Sequence, residues 1–338
     1  MGILMFNEQL TFDWQDPEQP RSAVATLKEV APLASRMKRL ARMGIYVGTS
    51  SWKYPGWLGQ IYNPQRYLTR GKFSKKKFNE ECLGEYAEIF PAVCGDFAFY
   101  QFPSLSMWRQ MFSQVSPGFR FSLKVPEDVT VERFPNLPRY GQRAGLINAH
   151  FMDAQLVQDQ LLTPLERFAS KLGMLIFEFG TIHEGPLAEP RRFVARLDEM
   201  LGRLPTDRFQ FAVEIRNPDF LGPASGYLDC LRHHGVAHCF NSWTRMPPVD
   251  EQMNVSGVFT ARHVAARFLL PPGRTYKEAV ASLAPYECVR EPYPQGRDAM
   301  GRLIKVAMDE ERTLLVFVNN RLEGNAIQTI DAVTSSLE

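Results

Sequence analysis

A chain of 338 residues with 45% hydrophobic and 22% charged side chains has the composition of an ordinary folded protein, long enough for one large core or two modest ones, and excludes intrinsic disorder. With 39 Lys+Arg against 37 Asp+Glu, the formal net charge is +2, so the whole-molecule field announces neither a nucleic-acid nor a membrane partner. The cysteines Cys82, Cys94, Cys230, Cys239 and Cys288 are scattered without a C-x-x-C pair, which argues against a disulfide framework or structural zinc and for reduced thiols in a cytoplasmic protein.

The opening run Met1 to Phe6, followed by Asn7 and Glu8, lacks the basic start and long apolar stretch of a signal peptide. No apolar run reaches membrane-spanning length, since even 264–270 is split by Arg267. Residues 23–43 carry apolar side chains at helical spacing, with Arg36, Lys38, Arg39 and Arg42 on the other face, and predict one helix in an N-terminal extension over 1–44.

From Ile45 onward, short β-type runs alternate with longer amphipathic ones over 45–338. The runs are 45–51, 96–101, 119–125, 174–179, 209–216, 236–241, 263–270 and 313–319. Helices are expected over 78–90 after Ser74, 105–114 after the N-cap Ser104, and 154–172, which Pro164 should kink or divide. Further helices are expected over 191–204 after Pro190, 227–234 stopped by Gly235, 276–283, 297–310 and 325–336; residues 243–255 are too broken to assign. Several strand runs are almost continuously apolar, as buried parallel strands are, and their number predicts a single α/β domain folded as a (β/α)8 TIM-like barrel. An open doubly wound sheet is the competing topology. It would normally show a Gly-rich fingerprint after its first strand, and Gly48-Thr-Ser-Ser-Trp52 is not one.

In such a barrel the catalytic groups stand at the C-terminal ends of the strands. Those ends are polar here: Ser50 and Ser51, Tyr100 and Gln101, Lys124, Glu178, Glu214 with Arg216, Asn241, Arg267, and Asn319 with Asn320. Strand alternation puts Glu214 and Arg216 on one face, as a structural ion pair or as half of an active site. Lys124, Arg216 and Arg267 are suited to a phosphate or carboxylate, and Glu214 or Glu178 to acid–base work, with Lys124 as a further catalytic candidate. After the first strand, Trp52, Tyr54 and Trp57 crowd one loop, either as a plug over the core or as a ligand wall. Tyr100, Asn241, Asn319 and Asn320 complete the expected substrate-binding set. No zinc-hydrolase, nucleophile-elbow or P-loop motif is present, so no cofactor is expected. His233, His234 and His238 have metal-like spacing, but Gly235 should end the helix between them and they read as structural; a divalent metal held by carboxylates stays open. Arg70, Lys72, Lys75, Lys76 and Lys77 with Phe73 form a basic loop that suits nucleic acid or a solvated surface.

The segments Gly48-Thr-Ser-Ser-Trp-Lys-Tyr-Pro-Gly-Trp57 with Tyr62, Phe119-Arg-Phe-Ser-Leu-Lys124 with Thr130, and Val213-Glu-Ile-Arg216 occur in order along the chain. Arg267-Phe-Leu-Leu-Pro-Pro-Gly273 with Pro285-Tyr286, and Val318-Asn-Asn-Arg-Leu-Glu-Gly-Asn325, follow them. Together they resemble the domain-of-unknown-function 72 family of TIM-barrel proteins over roughly residues 45–335. The resemblance implies a TIM-like barrel and brings no settled activity. It falls on Trp52, Tyr54, Trp57, Tyr100, Lys124, Glu214, Arg216, Arg267 and Asn320. Glu178 stands where many members carry Gln, and Asn217 where His is common, so a mechanism using that histidine does not transfer; Arg262 competes with Arg267 for one role. The expectation is an enzyme, of hydrolase, lyase or isomerase type, acting on a small anionic or polyhydroxylated ligand. A nucleic-acid-binding or processing barrel and a non-catalytic sensor are the alternatives.

Overall fold

The computed structural model describes residues 30–182 and 185–337. Residues 23–29 of the expected N-terminal helix therefore lie outside the described residues. Its remainder forms α1 (Val30–Arg42), whose Leu33, Met37 and Leu40 are buried at helical spacing.

Eight parallel strands close into a barrel: β1 (Ile45–Thr49), β2 (Ala92–Gly95), β3 (Arg120–Lys124), β4 (Leu172–Phe179), β5 (Phe211–Ile215), β6 (Ala237–Ser242), β7 (His263–Phe268) and β8 (Thr313–Val318). Each strand pairs with its sequence neighbour, and β8 pairs with β1 to complete the ring. This is the (β/α)8 barrel, and ring closure rules out the open sheet. Helices α2 (Lys75–Ile89), α3 (Leu105–Phe112), α4 (Pro190–Gly202), α5 (Tyr227–His233), α6 (Tyr276–Leu283), α7 (Pro294–Asp309) and α8 (Ala326–Ser335) lie between and after the strands. No helix among the described residues is long and apolar enough to cross a membrane.

Local signals account for the helix ends. Ser74 and Ser104 accept hydrogen bonds from the backbone N–H groups of Lys77 and Met107, capping α2 and α3. Thr275 and Glu278 form a reciprocal capping box at α6. The segment 154–171 is broken as Pro164 requires: a short α-turn, a π-turn over Gln158–Leu162 and a 3-10 turn over Glu166–Lys171. Within 243–255, left unassigned by sequence, Val249–Met253 is a one-turn helix behind Pro247 and Pro248.

The second strand is displaced from its expected position. Residues 96–101 form a turn in which the Phe99 N–H donates to the Asp96 carbonyl at 3.0 Å, and the strand is the shorter run Ala92–Gly95 just before it. The run Phe97-Ala-Phe-Tyr100 is apolar because Ala98 and Phe99 are packed into the core, which mimics the composition of a strand without its pairing.

Alternation along the strands divides the core in two. Ala92, Cys94, Met174, Ile176, Ala212, Ala237, Cys239, Ala265, Leu315 and Phe317 fill the barrel interior, and the opposite faces pack under the helices. Small residues predominate on β5 to β7, leaving room for the larger side chains of β4 and β8. At the β1–β2 seam, Gly48 lies opposite Ala92, and a Cβ there would sit 1.9 Å from the Ala92 carbonyl oxygen. The Tyr86 hydroxyl of α2 enters this seam. It accepts from the Thr49 N–H and donates to the Ala92 carbonyl, both at 2.9 Å, where the ladder is short. Tyr86→Phe should cost about 1–3 kcal/mol, because it leaves a buried N–H and a buried carbonyl without that partner. Urea unfolding checks this, and an unchanged midpoint would show that the seam does not depend on the hydroxyl.

Candidate active site at the barrel mouth

The interior parity of each strand continues past the apolar layers into charge. Beyond Cys94 stands Asp96, beyond Ser122 Lys124, beyond Ile176 Glu178, beyond Ala212 Glu214 and Arg216, and beyond Ala265 Arg267. All six lie at the C-terminal ends of β2, β3, β4, β5 and β7, and converge on one network.

Its centre is a single oxygen. Glu178 Oε2 lies 3.2 Å from Lys124 Nζ and 3.0 Å from Arg216 Nη2, and accepts a hydrogen bond from Arg267 Nη1. Arg267 Nη1 also donates to Glu214 Oε2, while Arg216 grips Glu214 Oε1 through Nε and Nη2, each at 3.0 Å. Asp96 Oδ1 closes the group at 3.6 Å from Lys124 Nζ and 3.8 Å from Arg267 Nη2. Glu214 is fully buried, and Glu178 and its three cations Lys124, Arg216 and Arg267 are nearly so; Asp96 is the most exposed member. The network holds three formal cations and three formal anions.

Two aromatic faces complete the walls. Lys124 Nζ lies 3.7 Å from the Phe99 ring centroid, and the Arg216 guanidinium lies 3.9 Å from that of Trp243, the half-buried residue after β6. Asn241, opposite Arg267 across the β6–β7 ladder, is held by Gln252: the Gln252 amide donates to the Asn241 carbonyl at 2.7 Å, and its oxygen accepts from the Asn241 N–H at 3.3 Å.

Burial by itself would raise the Glu178 carboxyl. Arg216, Lys124 and Arg267 outweigh it and hold the group well below the usual carboxylate range. Burial likewise opposes the Arg267 cation, and Glu214 and Glu178 reverse that effect, keeping the guanidinium charged. Glu178 is therefore an ionised anchor near neutral pH, and does not serve as a proton donor there. Burial pushes the Cys94 thiol beneath the network up to about 12, so it is present as the neutral thiol.

The structure brings Lys124, Glu178, Glu214, Arg216, Asn241 and Arg267 together, and Arg267 rather than the exposed Arg262 faces the mouth. Tyr100 stands on the loop after β2 instead of at a strand end, half-buried, with the Arg139 guanidinium 5.4 Å from its ring. Asn319 continues the interior face of β8, and its side chain accepts from the Arg321 N–H. Asn320 points elsewhere and accepts from the Ala326 N–H at the start of α8. In the aromatic loop all three rings are buried, Trp52 at 5% exposure, Tyr54 at 7% and Trp57 at 0%, and they differ in what they pack against. Trp57 is fully buried against Tyr54 and Tyr62, whereas Trp52 packs edge-on against Phe97 and Tyr54 against Tyr286. Asp96, Phe99 and Trp243 were missed by sequence reasoning. Asp96 opens the run 96–101 that reads as a strand, and Trp243 follows Asn241-Ser242 in a stretch with no periodicity.

Among the described residues, one grouping brings three metal-type ligand atoms within 4.8 Å of one another: Asp198, Cys230 and His234. It lies before β6, at the far end of the barrel, and His234 Nε2 is 2.8 Å from an exposed Asp198. His238 is separate from it, buried beside Tyr227, and burial lowers its imidazole to about 4.

Fold and network together define a (β/α)8-barrel protein with a buried charge cluster at its C-terminal mouth. The chain belongs to the family described as "Protein of unknown function DUF72", whose model matches residues 46–338. Among solved structures, it is similar to a DUF72 family protein from Enterococcus faecalis V583, at 16% identity and a TM-score of 0.57 over 86% of this chain and 95% of that one. A DUF72 family protein from Thermotoga maritima MSB8 is similar at 17% identity and a TM-score of 0.57, over 87% and 99%. At these identities the likeness speaks for the fold. No curated protein matches the chain.

Glu178→Gln should destabilise the protein by about 3–5 kcal/mol at neutral pH, because it leaves three buried cations short of their common anion. The Glu178 carboxyl titrates lower in the folded than in the unfolded chain, so its contribution is complete above the unfolded value of about 4.3 and fades as the pH falls below it. The stability gap between wild type and variant, read by urea unfolding, should be flat above about pH 5 and narrow only in more acid solution. A gap that closes between neutrality and pH 5 would contradict this assignment.

Proposed function

We propose that the protein is an enzyme acting on a small polyhydroxylated substrate at the C-terminal mouth of the barrel. The observation that carries this reading is a set of polar atoms around the network that are buried yet make no hydrogen bond with the described residues. They are Ser50 Oγ, Trp52 Nε1, Thr130 Oγ1, Asn241 Oδ1 and Arg267 Nε. Buried polar groups are nearly always paired, so a group of donors and acceptors left over beside a charge cluster suits a ligand rich in hydroxyls. The balance of charge supports the same class. Lys124, Arg216 and Arg267 are already matched by carboxylates, so the network favours dipoles and hydroxyls over a free anion at its centre.

The roles follow from exposure and charge. Asp96, the most exposed carboxylate, is the group best placed to exchange a proton with a substrate hydroxyl, and Lys124 stands 3.6 Å behind it. Glu178, Glu214, Arg216 and Arg267 set the field and orient these two, acting as a preorganised electrostatic frame. Trp243, half-buried beside Arg216, offers an apolar surface for a sugar-like ring. The Asp96–Lys124 pairing is compatible with isomerase, lyase or hydrolase chemistry.

A thermal-shift screen of the full chain against monosaccharides, sugar acids and sugar phosphates tests the reading. A ligand of the correct class at about a hundred times its Kd stabilises the fold by about 2.7 kcal/mol. That shift should disappear in Asp96→Asn and in Asn241→Ala while both variants keep the wild-type circular dichroism. No shift from any polyhydroxylated compound, together with salt-dependent oligonucleotide binding that weakens on reversing Lys72 and Lys76, would replace this reading with a nucleic-acid-binding barrel.

A further inference from the structure

Arg321, three residues beyond β8, differs from the cations of the network. Its guanidinium lies 4.5 Å from the Tyr276 ring centroid and hydrogen-bonds the Tyr286 hydroxyl, and the groups acting most strongly on its charge are Tyr54, Tyr276 and Tyr286, with no carboxylate paired to it among the described residues. The side chain is half-buried. Withdrawing a guanidinium from water without a carboxylate partner is costly, and a ring face offsets only part of that cost. The three tyrosines come from the loop after β1, the start of α6 beyond β7, and the segment after α6, so the cluster caps the adjacent strands β7, β8 and β1.

The cluster is held rigidly. Tyr286 has φ 72°, a left-handed conformation that is unfavourable for a bulky residue. Its carbonyl accepts from Asn325 Nδ2 at 3.0 Å, and the neighbouring Glu287 carbonyl accepts from Gln60 Nε2 at 2.9 Å. Gly56 permits the close approach of the Tyr54 loop, since a Cβ there would lie 2.3 Å from the Pro285 carbonyl oxygen. Tyr54 and Tyr286 consequently meet edge to face, with ring centroids 5.8 Å apart. Strain fixed in this way by several independent contacts is what a preorganised binding site requires.

We infer that this rim is a subsite for a tetrahedral oxyanion, the phosphate group of a phosphorylated substrate, held by Arg321 together with the phenols of Tyr276 and Tyr286. The inference rests on the reading of the mouth as a ligand site and specifies the charged end of that ligand. A guanidinium fork with phenol donors beside it supplies donors from several directions and no competing acceptor charge, which suits phosphate better than a planar carboxylate. Loops after the seventh and eighth strands are a common place for phosphate in barrels of this kind, an analogy that agrees with the local chemistry.

Isothermal titration of the full chain with inorganic phosphate tests the subsite, with acetate as the planar comparison. Wild type should show saturable phosphate binding in the millimolar range, Arg321→Met should weaken it at least about tenfold, and Tyr286→Phe about threefold. Arg262→Ala, which removes an exposed cation before β7, should leave it unchanged. If Arg321→Met does not fold, Tyr286→Phe decides alone. Binding equal to wild type in the folded variants, acetate as tight as phosphate, or no saturable heat with wild type up to about 50 mM phosphate overturns the assignment. Phosphate binding that depends on Arg321, with no polyhydroxylated ligand found at the mouth, would uphold the subsite and remove the proposed substrate class. A mouth ligand lost in Asp96→Asn, with phosphate indifferent to Arg321, would do the reverse.

Discussion

One carboxylate oxygen organises the functional end of this barrel. Glu178 Oε2 takes Lys124, Arg216 and Arg267 at once, and those three side chains arrive from different strands. Each ion loses several kcal/mol of hydration on entering the interior, and only mutual pairing within hydrogen-bond distance makes that tolerable. The buried members Lys124, Glu178, Glu214, Arg216 and Arg267 therefore depend on one another. Removing one partner exposes the others to an uncompensated low-dielectric environment, whereas the intact set is neutral and rigid.

That neutrality bears directly on chemistry. A barrel mouth with three unopposed cations would draw in any anion, whereas here each of the three cations is opposed by carboxylates. Polar atoms of Ser50, Asn241 and Arg267 at the strand ends, and of Trp52 and Thr130 on the loops after β1 and β3, make no hydrogen bond with the described residues, and Arg321 stands among tyrosines at the β7–β8–β1 rim. The proposed sites for a hydroxylated body and for a charged end would thus be separated in space.

The aromatic loop after β1 is packed into the core. Trp57 is a plug: fully buried between Tyr54 and Tyr62, it anchors the loop to the core and is not accessible to a ligand. Trp52, packed edge-on against Phe97, and Tyr54, packed edge-on against Tyr286, are buried as well. Three aromatic residues at close spacing thus have three different neighbours, with the 3-10 turn Pro55–Trp57 following Tyr54.

Much of this was legible before any coordinates. The apolar β-runs at barrel spacing, the caps at Ser74 and Ser104, the break at Pro164 and the same-face placement of Glu214 and Arg216 all follow from local rules, period two in strands, φ restriction at proline and hydroxyl capping, which act over a few residues. The second strand was misplaced because Phe97-Ala-Phe-Tyr100 is apolar for a tertiary reason, covering the core and lying under Lys124, and composition cannot separate that from pairing. Asp96 and Trp243 escaped for the same reason, since nothing in their own neighbourhoods sets them apart. That Lys124 is an ion-pair partner and not a surface lysine, that Arg267 and not Arg262 turns inward, and that Glu178 is fixed as an anion were decided only by closing the ring. Closure brings residues far apart in the chain within about 3 Å, and electrostatic pairing at that range is a property of the assembled structure.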